Sequence, residues 1–502
     1  SPLPVGEREK GGKIRGYKCK SAMRLPAVFL FCAAGIFNSL QAHARISCRD
    51  CSVILISLDT LLADALGIHG YRRDISPNID RLAGNGALFL NAYSHSPNTL
   101  SSHMSIFTSQ YPWKHNMEAI YRDSLAGETV TLPMALKTRG YKTVWAATTQ
   151  DSHLSLTAGF ERGFDDFVPI RTKSLSWKPA FSWLKKNRGH KFFMFLHTYH
   201  VHKPYTPKKS SILRFSRTFP RSKIMTNGGL DLLALKEIAA SPLRVLREIR
   251  IGGFSLVFRK LRAEIFLENF NPDAPDDMMH LRTLYDACVY EVDAAIGGLY
   301  AELEKLGLAG KTLLVITSDH GESFLEHGQL NHTQLYIQNL HVPLIFVFPG
   351  KQPGRKIQHV VQSIDITPTI LDALGFPALQ GAQGFSLLPL MEGRGSEGRS
   401  LAFAKWFRSY SVRDCRYTYI RSDNCADRSP DRDIRCVAEE FYDRSGDPEE
   451  LKNIFSSNRD AAGKFAGCLS AMRASAPKRR TNPWPGKIPE DVRKRIRETG
   501  YW

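Results

Sequence analysis

The chain lacks any hydrophobic run long enough to cross a bilayer. Its longest apolar stretch, residues 25–37, has 13 positions, whereas a transmembrane helix needs about 20. No internal repeat and no long low-complexity tract occurs in its 502 residues. No segment alternates basic and aromatic side chains, and no nucleic-acid-binding motif is present. The sequence therefore excludes a repeat protein and a nucleic-acid-binding protein, and its 43% hydrophobic content suffices for a large buried core.

Acidic residues are scarce relative to basic ones. The chain has 49 Asp and Glu against 68 Lys and Arg, which gives a net charge of +19. The excess is concentrated in residues 208–262, which contain thirteen basic and three acidic side chains. Two interpretations of this basic insertion, about residues 208–280, stay open. It is either a solvated, partly helical insertion, or a positively charged surface that attracts an anionic substrate or a membrane.

The amino terminus has the pattern of a targeting segment. Met23 and Arg24 precede the apolar residues 25–37, and Ala42-His43-Ala44 fits the small-residue pattern of a cleavage site. We therefore assign residues 1–44 to a signal segment and expect a secreted or periplasmic protein.

Cysteines are few but clustered. Of the nine, Cys415, Cys425 and Cys436 fall within 22 residues. In an oxidising compartment this spacing predicts a loop stapled by disulfides. Cys288 is expected to be free, and the further candidates for pairing are Cys48, Cys51 and Cys468. Zinc ligation is the alternative, but the chain lacks paired Cys-x-x-Cys spacing with histidine partners.

Apolar runs that alternate with helical patterns predict an α/β fold. Residues 53–58 and 313–317 are apolar on both faces, as in strands buried in a parallel sheet. The further predicted elements are strands at 141–147, 191–196 and 342–348 and a helix at 285–306. After residue 391 the pattern changes to short β-like segments. We predict a mostly parallel sheet flanked by helices over residues 45–391, and a small β-rich C-terminal domain and tail over 392–502.

An aspartate follows each of the two apolar runs. Asp59 ends the first run, and Asp319, followed by His320, ends the second about 260 residues later. The carboxyl ends of parallel strands meet at one crevice, so these side chains are expected to converge. Oxygen-rich ligands suit Ca²⁺, Mg²⁺ or Mn²⁺. We therefore predict one divalent metal ion bound by these three residues; the alternative is that each carboxylate only caps a turn or a helix.

Hydroxyl groups and imidazoles cluster near the same positions. Thr99, Ser101 and Ser102 lie at the start of a predicted helix, where hydroxyls either cap the helix or point at an anion. Histidines follow the strand at 191–196 and the second aspartate: His197, His200, His202, His327 and His332. Each alone is compatible with a packed loop residue, but together they are predicted to surround the metal site.

An ordered series of motifs resembles the sulfatase family of the alkaline phosphatase superfamily across residues 52–455. The series is Ile56-Ser57-Leu58-Asp59-Thr60, Ser76-Pro77-Asn78-Ile79-Asp80-Arg81-Leu82, Leu100-Ser101-Ser102-His103, His202-Lys203-Pro204-Tyr205, Ser318-Asp319-His320-Gly321-Glu322 and Asp365-Ile366-Thr367-Pro368-Thr369. The resemblance implies an alkaline-phosphatase-like fold and metal-dependent hydrolysis of sulfate or phosphate-type esters.

The chain departs from the family at the nucleophile. The family oxidises a Cys or Ser there to formylglycine, and the resemblance places Thr99 at that position, with His103 at the family's arginine. His332 replaces a lysine, and residues 147–150 replace the family's Gly-Lys-Trp-His run. These departures resemble the branch that contains phosphonate and phosphodiester hydrolases. Because threonine has a single hydroxyl, release of a covalent intermediate would require attack by water.

The resemblance also implies roles for the other site residues. Thr99 is the expected nucleophile, the other catalytic residues are His103, His202 and His332, and the substrate-binding residues are Thr148 and His115. The expected substrate is an anionic small-molecule, glycan or lipid ester, and the basic insertion is a candidate contact with a membrane surface. Two alternatives stay open: a phosphoethanolamine-type transferase, and a non-catalytic binding protein that keeps the sulfatase fold.

Overall fold

A computed structural model describes most of the chain outside its two ends. The described residues are 46–118, 123–148, 159–170, 175–215, 236, 240, 270–350, 354–394, 399–423 and 437–474. The predicted signal segment, most of the basic insertion, Cys425 and Cys436 lie outside them, so these predictions stay as they were made.

The larger sheet has eight strands within the described residues, in the order β4-β3-β5-β1-β6-β7-β2-β8. The strands are β1 (Ser52–Leu58), β2 (Ala87–Tyr93), β3 (Lys142–Thr148), β4 (Asp166–Ile170), β5 (Phe192–Thr198), β6 (Thr312–Thr317), β7 (Leu344–Val347) and β8 (Arg355–Gln362). All neighbours pair in parallel except β7, which is antiparallel to both β6 and β2. The predicted mostly parallel α/β fold is confirmed.

Helices cover both faces of this sheet. They are α1 (Pro77–Ala83), α2 (Thr99–Thr108), α3 (Pro112–His115), α4 (Leu132–Lys137), α5 (Lys178–Asn187), α6 (Lys209–Phe215), α7 (Pro275–Lys305), α8 (Ile337–Leu340), α9 (Ile366–Ala373) and α10 (Leu388–Met391). Short 3₁₀ turns occur at Ala63–Ala65, Gly67–His69, Ala309–Lys311 and Ser363–Asp365. The helix predicted at 285–306 begins ten positions earlier, where Pro275 supplies a favourable first-turn residue.

Strand β1 lies in the middle of the sheet and contributes to two hydrophobic cores. Successive side chains of a strand point to opposite faces, so Val53 and Leu55 pack with α2 and α9, whereas Ile54 and Ile56 pack with α1 and α7. Every residue of β1 is buried. This two-sided burial explains why the sequence of β1 is a continuous apolar run rather than an alternating one.

A second sheet follows in the C-terminal part of the chain. Its antiparallel strands are β9 (Ala402–Trp406), β10 (Ser409–Arg413), β11 (Tyr417–Ser422) and β12 (Glu439–Asp443), and α11 (Arg459–Ala474) packs on it after a 3₁₀ turn at Phe455–Ser457. A backbone hydrogen bond links it to the larger sheet: the N–H of Lys405 in β9 donates to the carbonyl of His95, two residues after β2, at 2.8 Å. The predicted small β-rich C-terminal unit is confirmed, while its boundary at residue 391 stays a prediction.

The cysteines follow the predictions in part. Cys288 is buried and free, as expected, and Cys415 is disulfide-bonded. Cys48 pairs with Cys51 within a short turn. The prediction that Cys468 joins a disulfide is wrong, because its thiol is free on the exposed side of α11. Among the described helices, none combines the length and the apolar content needed to span a bilayer.

Candidate active site

The two aspartates that end β1 and β6 lie side by side at the carboxyl edge of the sheet. The strands pair in register, with Ser57 opposite Thr317, so the residues that follow them emerge together. Single ligand atoms of Asp59, Asp319 and His320 lie within 4.8 Å of one another, and all three side chains are fully buried. The sequence prediction that these three residues converge is therefore confirmed.

Hydrogen bonds fix the orientation of this group. His320 Nδ1 donates to the Gly321 carbonyl at 3.0 Å, which leaves the Nε2 lone pair directed inward, 3.4 Å from Asp319 Oδ2. Asp319 Oδ1 accepts from the His320 backbone N–H at 2.9 Å. A side chain on Gly321 would collide with the Gln338 carbonyl, 1.9 Å from an ideal Cβ, so the turn after His320 requires glycine.

The buried negative charge of this group requires a neighbouring cation. Burial raises the pKa of Asp319, but the neighbouring imidazoles and the His320 N–H outweigh it and lower that pKa to about 2. Asp319 Oδ2 has no hydrogen-bond partner among the described residues. An ionised carboxylate this deeply buried needs a compensating charge. Two carboxylates and one imidazole nitrogen are a donor set that fits a divalent metal ion.

Two further histidines, His103 and His197, border the same carboxylates. His103 and His197 lie close enough to Asp319 to form a second ligand group on distance alone. However, His103 Nδ1 donates to the Thr99 carbonyl at 2.7 Å and Nε2 lies 2.8 Å from Ser57 Oγ. Burial lowers the pKa of His103 to about 3, so the ring is neutral. With both nitrogens engaged, His103 does not fit a metal ligand in this arrangement.

Thr99 begins α2 and points into the group. The Asn98 side chain caps the helix by accepting from Ser101 N–H at 3.2 Å. Thr99 Oγ1 lies 3.3 Å from Asp59 Oδ2 and 3.3 Å from His320 Nε2. The neighbouring Ser102 hydroxyl instead donates to the Asp319 carbonyl at 2.6 Å. Of the hydroxyls at this helix start, Thr99 is therefore the one placed against the candidate metal ligands.

His202 and His332 form a pair at the mouth of the site. Their Nε2 atoms are 3.2 Å apart, and each Nδ1 donates to a backbone carbonyl, that of Lys203 at 2.5 Å and that of Pro97 at 3.0 Å. With Nδ1 protonated, neither neutral ring has a proton on Nε2. The two Nε2 atoms therefore form a hydrogen bond only when the pair has gained one proton, which they share. The His332 ring stacks on His320 with centroids 4.3 Å apart, and burial lowers the pKa of His332 to about 4.

The structure describes the side chain of only one of the two predicted substrate-binding residues, His115. His115 Nδ1 accepts from the Met117 N–H at 3.0 Å, and its Nε2 bonds the Ser105 hydroxyl at 3.0 Å. These contacts occupy both nitrogens. Thr148 ends β3, and its side chain lies outside the described atoms. Substrate binding by His115 and Thr148 stays a prediction.

Sequence analysis missed two charged residues beside the site. Glu322 follows His320 by two positions and is fully buried, and Lys203 follows His202. Their charged groups lie 3.9 Å apart. Both occur in the motifs that carry the family resemblance, but only the fold shows that these motifs meet.

Comparison of the sequence with known proteins identifies the family of this chain. Residues 52–376 match the family described as sulfatase, and residues 325–465 match the C-terminal region of N-sulphoglucosamine sulphohydrolase. Arylsulfatase K of Xenopus laevis is 28% identical over 412 residues, which cover 75% of this chain and 74% of that protein. Arylsulfatase K of Bos taurus is 28% identical over 444 residues, covering 79% and 75% of the two chains.

Solved structures share the fold. BT4656 in complex with its substrate D-glucosamine-2-N,6-O-disulfate superposes with a TM-score of 0.68 at 20% identity, covering 85% of this chain and 98% of that one. The phosphonate monoester hydrolase of Agrobacterium radiobacter superposes with a TM-score of 0.64 at 21% identity, covering 85% and 96%. Since the family match spans more than half of the chain, the protein belongs to the sulfatase family and is an ester hydrolase of that family.

Proposed function

We propose that the protein is a metal-dependent hydrolase of sulfate or phosphate-type esters that uses Thr99 as its nucleophile. One observation carries the proposal: Thr99 Oγ1 lies 3.3 Å from an atom of each of two candidate metal ligands, Asp59 and His320. The similarity to arylsulfatase K and to a phosphonate monoester hydrolase supports this substrate class. The complex of BT4656 with a sulfated glucosamine supports an anionic glycan ester among the substrates.

The metal ion is assigned to Asp59, Asp319 and His320, with its identity left to Ca²⁺, Mg²⁺ or Mn²⁺. When bound, such an ion would lower the proton affinity of nearby hydroxyls and stabilise negative charge on the transferring group. Thr99 also begins α2, whose amino-terminal N–H groups carry partial positive charge that favours an anion at the same place.

The remaining steps follow from the positions of side chains. Thr99 Oγ1 attacks sulfur or phosphorus and passes its proton to Asp59 Oδ2, its hydrogen-bond partner. When the His202 and His332 pair is protonated, it donates the proton shared between its Nε2 atoms to the departing alcohol oxygen. Threonine has no second hydroxyl to expel the esterified group, so water attacks it instead. The water gives one proton to the histidine pair, and Asp59 returns its proton to Thr99 Oγ1 as that oxygen leaves.

His103 is assigned a supporting role in this scheme. Its Nδ1 donates to the Thr99 carbonyl, and its Nδ1 lies 3.8 Å from Asp319 Oδ2. A neutral ring held in this way orients the first turn of α2 relative to the second carboxylate. His103 is thus better placed to position Thr99 than to transfer a proton.

Residues 1–44 are proposed to direct the protein to a secreted or periplasmic location. The Cys48–Cys51 disulfide supports an oxidising compartment. A membrane surface stays a candidate partner through the basic insertion.

Metal analysis combined with a substrate panel tests the proposal. The panel comprises nitrophenyl sulfate, a nitrophenyl phosphate monoester, a diester and a phosphonate ester, assayed with apoenzyme reloaded with each candidate ion. We expect one bound ion per chain and measurable turnover of at least one ester. Phosphorus esters are expected to be favoured, because a sulfated threonine is released less readily. A chain that binds no divalent ion and turns over none of the four esters is not this enzyme.

The role of His332 makes a separate prediction. If His332 contributes to protonation of the leaving group, His332→Ala should lower kcat/KM for an alkyl ester by about a hundredfold or more, the range of general acid catalysis. Nitrophenyl esters should lose far less, because their leaving group departs without a proton. Comparing the two esters in one variant measures the effect. An equal loss on both would assign His332 to charge stabilisation instead.

A further inference from the structure

Lys203 lies where three segments of the site meet. It follows His202 directly, and its ammonium donates to the carbonyl of Leu330, two positions before His332. Its charge also acts on the His332 ring. The lysine is largely buried, with 14% of its side chain exposed. Its ammonium is therefore held beside the paired histidines rather than in solvent.

Glu322 is the acidic neighbour of this lysine, yet the two do not form a closed salt bridge. Glu322 Oε1 is 3.9 Å from Lys203 Nζ, and neither Glu322 oxygen has a hydrogen-bond partner among the described residues. A closed pair between an ammonium and a carboxylate has a separation of about 2.8 Å. A lysine ammonium has three N–H donors, and the Leu330 carbonyl accounts for one. Among the described residues, no second acceptor lies within hydrogen-bond distance of the Lys203 ammonium.

The reaction needs positive charge at this place. Within the described part of the chain, the ion pairs of Asp319 and Glu322 involve only histidines and Lys203. A histidine carries charge only when it is protonated, whereas a lysine is charged throughout the neutral pH range. Among the described residues, the fixed side-chain cation that an anionic ester would meet on the His332 side of the site is therefore Lys203.

We propose that Lys203 is a substrate-binding residue that donates to an anionic oxygen of the bound ester, and that Glu322 is the positioning residue that restrains its ammonium. The inference rests on the proposed function and deepens it by naming a specificity-determining contact. The competing explanation is structural: Lys203 only neutralises the buried charge of Glu322.

Four variants separate these explanations: Lys203→Met, Glu322→Gln, the double variant, and Lys191→Met as a matched control at the opposite end of β5. Lys203→Met should raise KM for the ester, and the inhibition constant of inorganic sulfate and phosphate, by about tenfold to a hundredfold, the range for one charged hydrogen bond. Its kcat should change less. Glu322→Gln should give a smaller rise, and Lys191→Met none.

The double variant decides the matter. Lys203→Met alone leaves a buried carboxylate without its cation, so a lower Tm is expected. Removing both charges should restore the Tm but leave anion binding as weak as in Lys203→Met. Recovery of wild-type anion affinity in the double variant would overturn the inference, as would an unchanged inhibition constant in Lys203→Met. Calorimetric titration with inorganic sulfate and phosphate needs no turnover, so it tests Lys203 even if no ester in the panel is hydrolysed.

Discussion

Replacing Thr99 by alanine is expected to lower kcat/KM for the best ester substrate by at least about a thousandfold, as for the loss of other enzymic nucleophiles. The methyl group of alanine leaves the metal ligands in place but removes the oxygen that lies 3.3 Å from Asp59 and His320. Thr99→Ser should keep a good part of the activity, because it retains the hydroxyl. Steady-state kinetics of the two variants measure the difference.

Thr108→Ala is the matched control for this experiment. Thr108 ends the same helix and is fully buried, and its hydroxyl donates to the Met104 carbonyl, so losing this hydroxyl should lower stability and spare activity. Mass spectrometry of enzyme trapped during turnover should place the added group on the peptide that contains Thr99. Unimpaired turnover by Thr99→Ala would instead point to Ser101 or Ser102.

Asp319→Ala is expected to abolish both metal binding and turnover while leaving a folded protein. Asp319 Oδ2 is buried without a hydrogen-bond partner among the described residues, so this oxygen is available to a metal ion, whereas Oδ1 accepts from the His320 N–H. Without its carboxylate, two of the three assigned ligands remain, Asp59 and His320. Metal content after gel filtration, together with turnover, measures the loss.

The stability of the same variant provides an independent readout. A ligand that binds only the folded state stabilises it, by about 2.7 kcal/mol at a concentration one hundred times the Kd. Added metal should therefore raise the Tm of the wild type but not that of Asp319→Ala. Asp460→Ala, which removes an exposed carboxylate at the start of α11, should behave like the wild type. Full metal occupancy in Asp319→Ala would contradict the ligand assignment.

The central strands and their aspartates could be predicted from sequence because burial on both faces leaves a readable signature. Strands β1 and β6 are continuous apolar runs, and the register that aligns Ser57 with Thr317 brings Asp59 and Asp319 together. The direction of β7 could not be predicted in this way. Its four apolar residues are equally compatible with parallel and antiparallel pairing, and the observed antiparallel pairing depends on the connection through α8.

The clustering of Asp59, Asp319 and His320 was predictable from sequence, whereas the side chains around them were not. His103 fits a catalytic role by its position in the chain, but its hydrogen bonds to Thr99 and Ser57 depend on how α2 packs over β1. The Lys203–Glu322 pair joins segments about 120 residues apart. No local pattern encodes such a contact, since each charged residue alone resembles an ordinary solvated side chain.

The position of β6 between β1 and β7 has a consequence for synthesis of the protein. Until residues 312–317 leave the ribosome, β1 has a neighbour on one side only and presents the other side as an unpaired edge. That edge is apolar on both faces, and open apolar edges recruit strands from other chains. Nascent or truncated chains that end before residue 312 should therefore aggregate, and chaperones that mask strand edges should raise the yield of the complete protein.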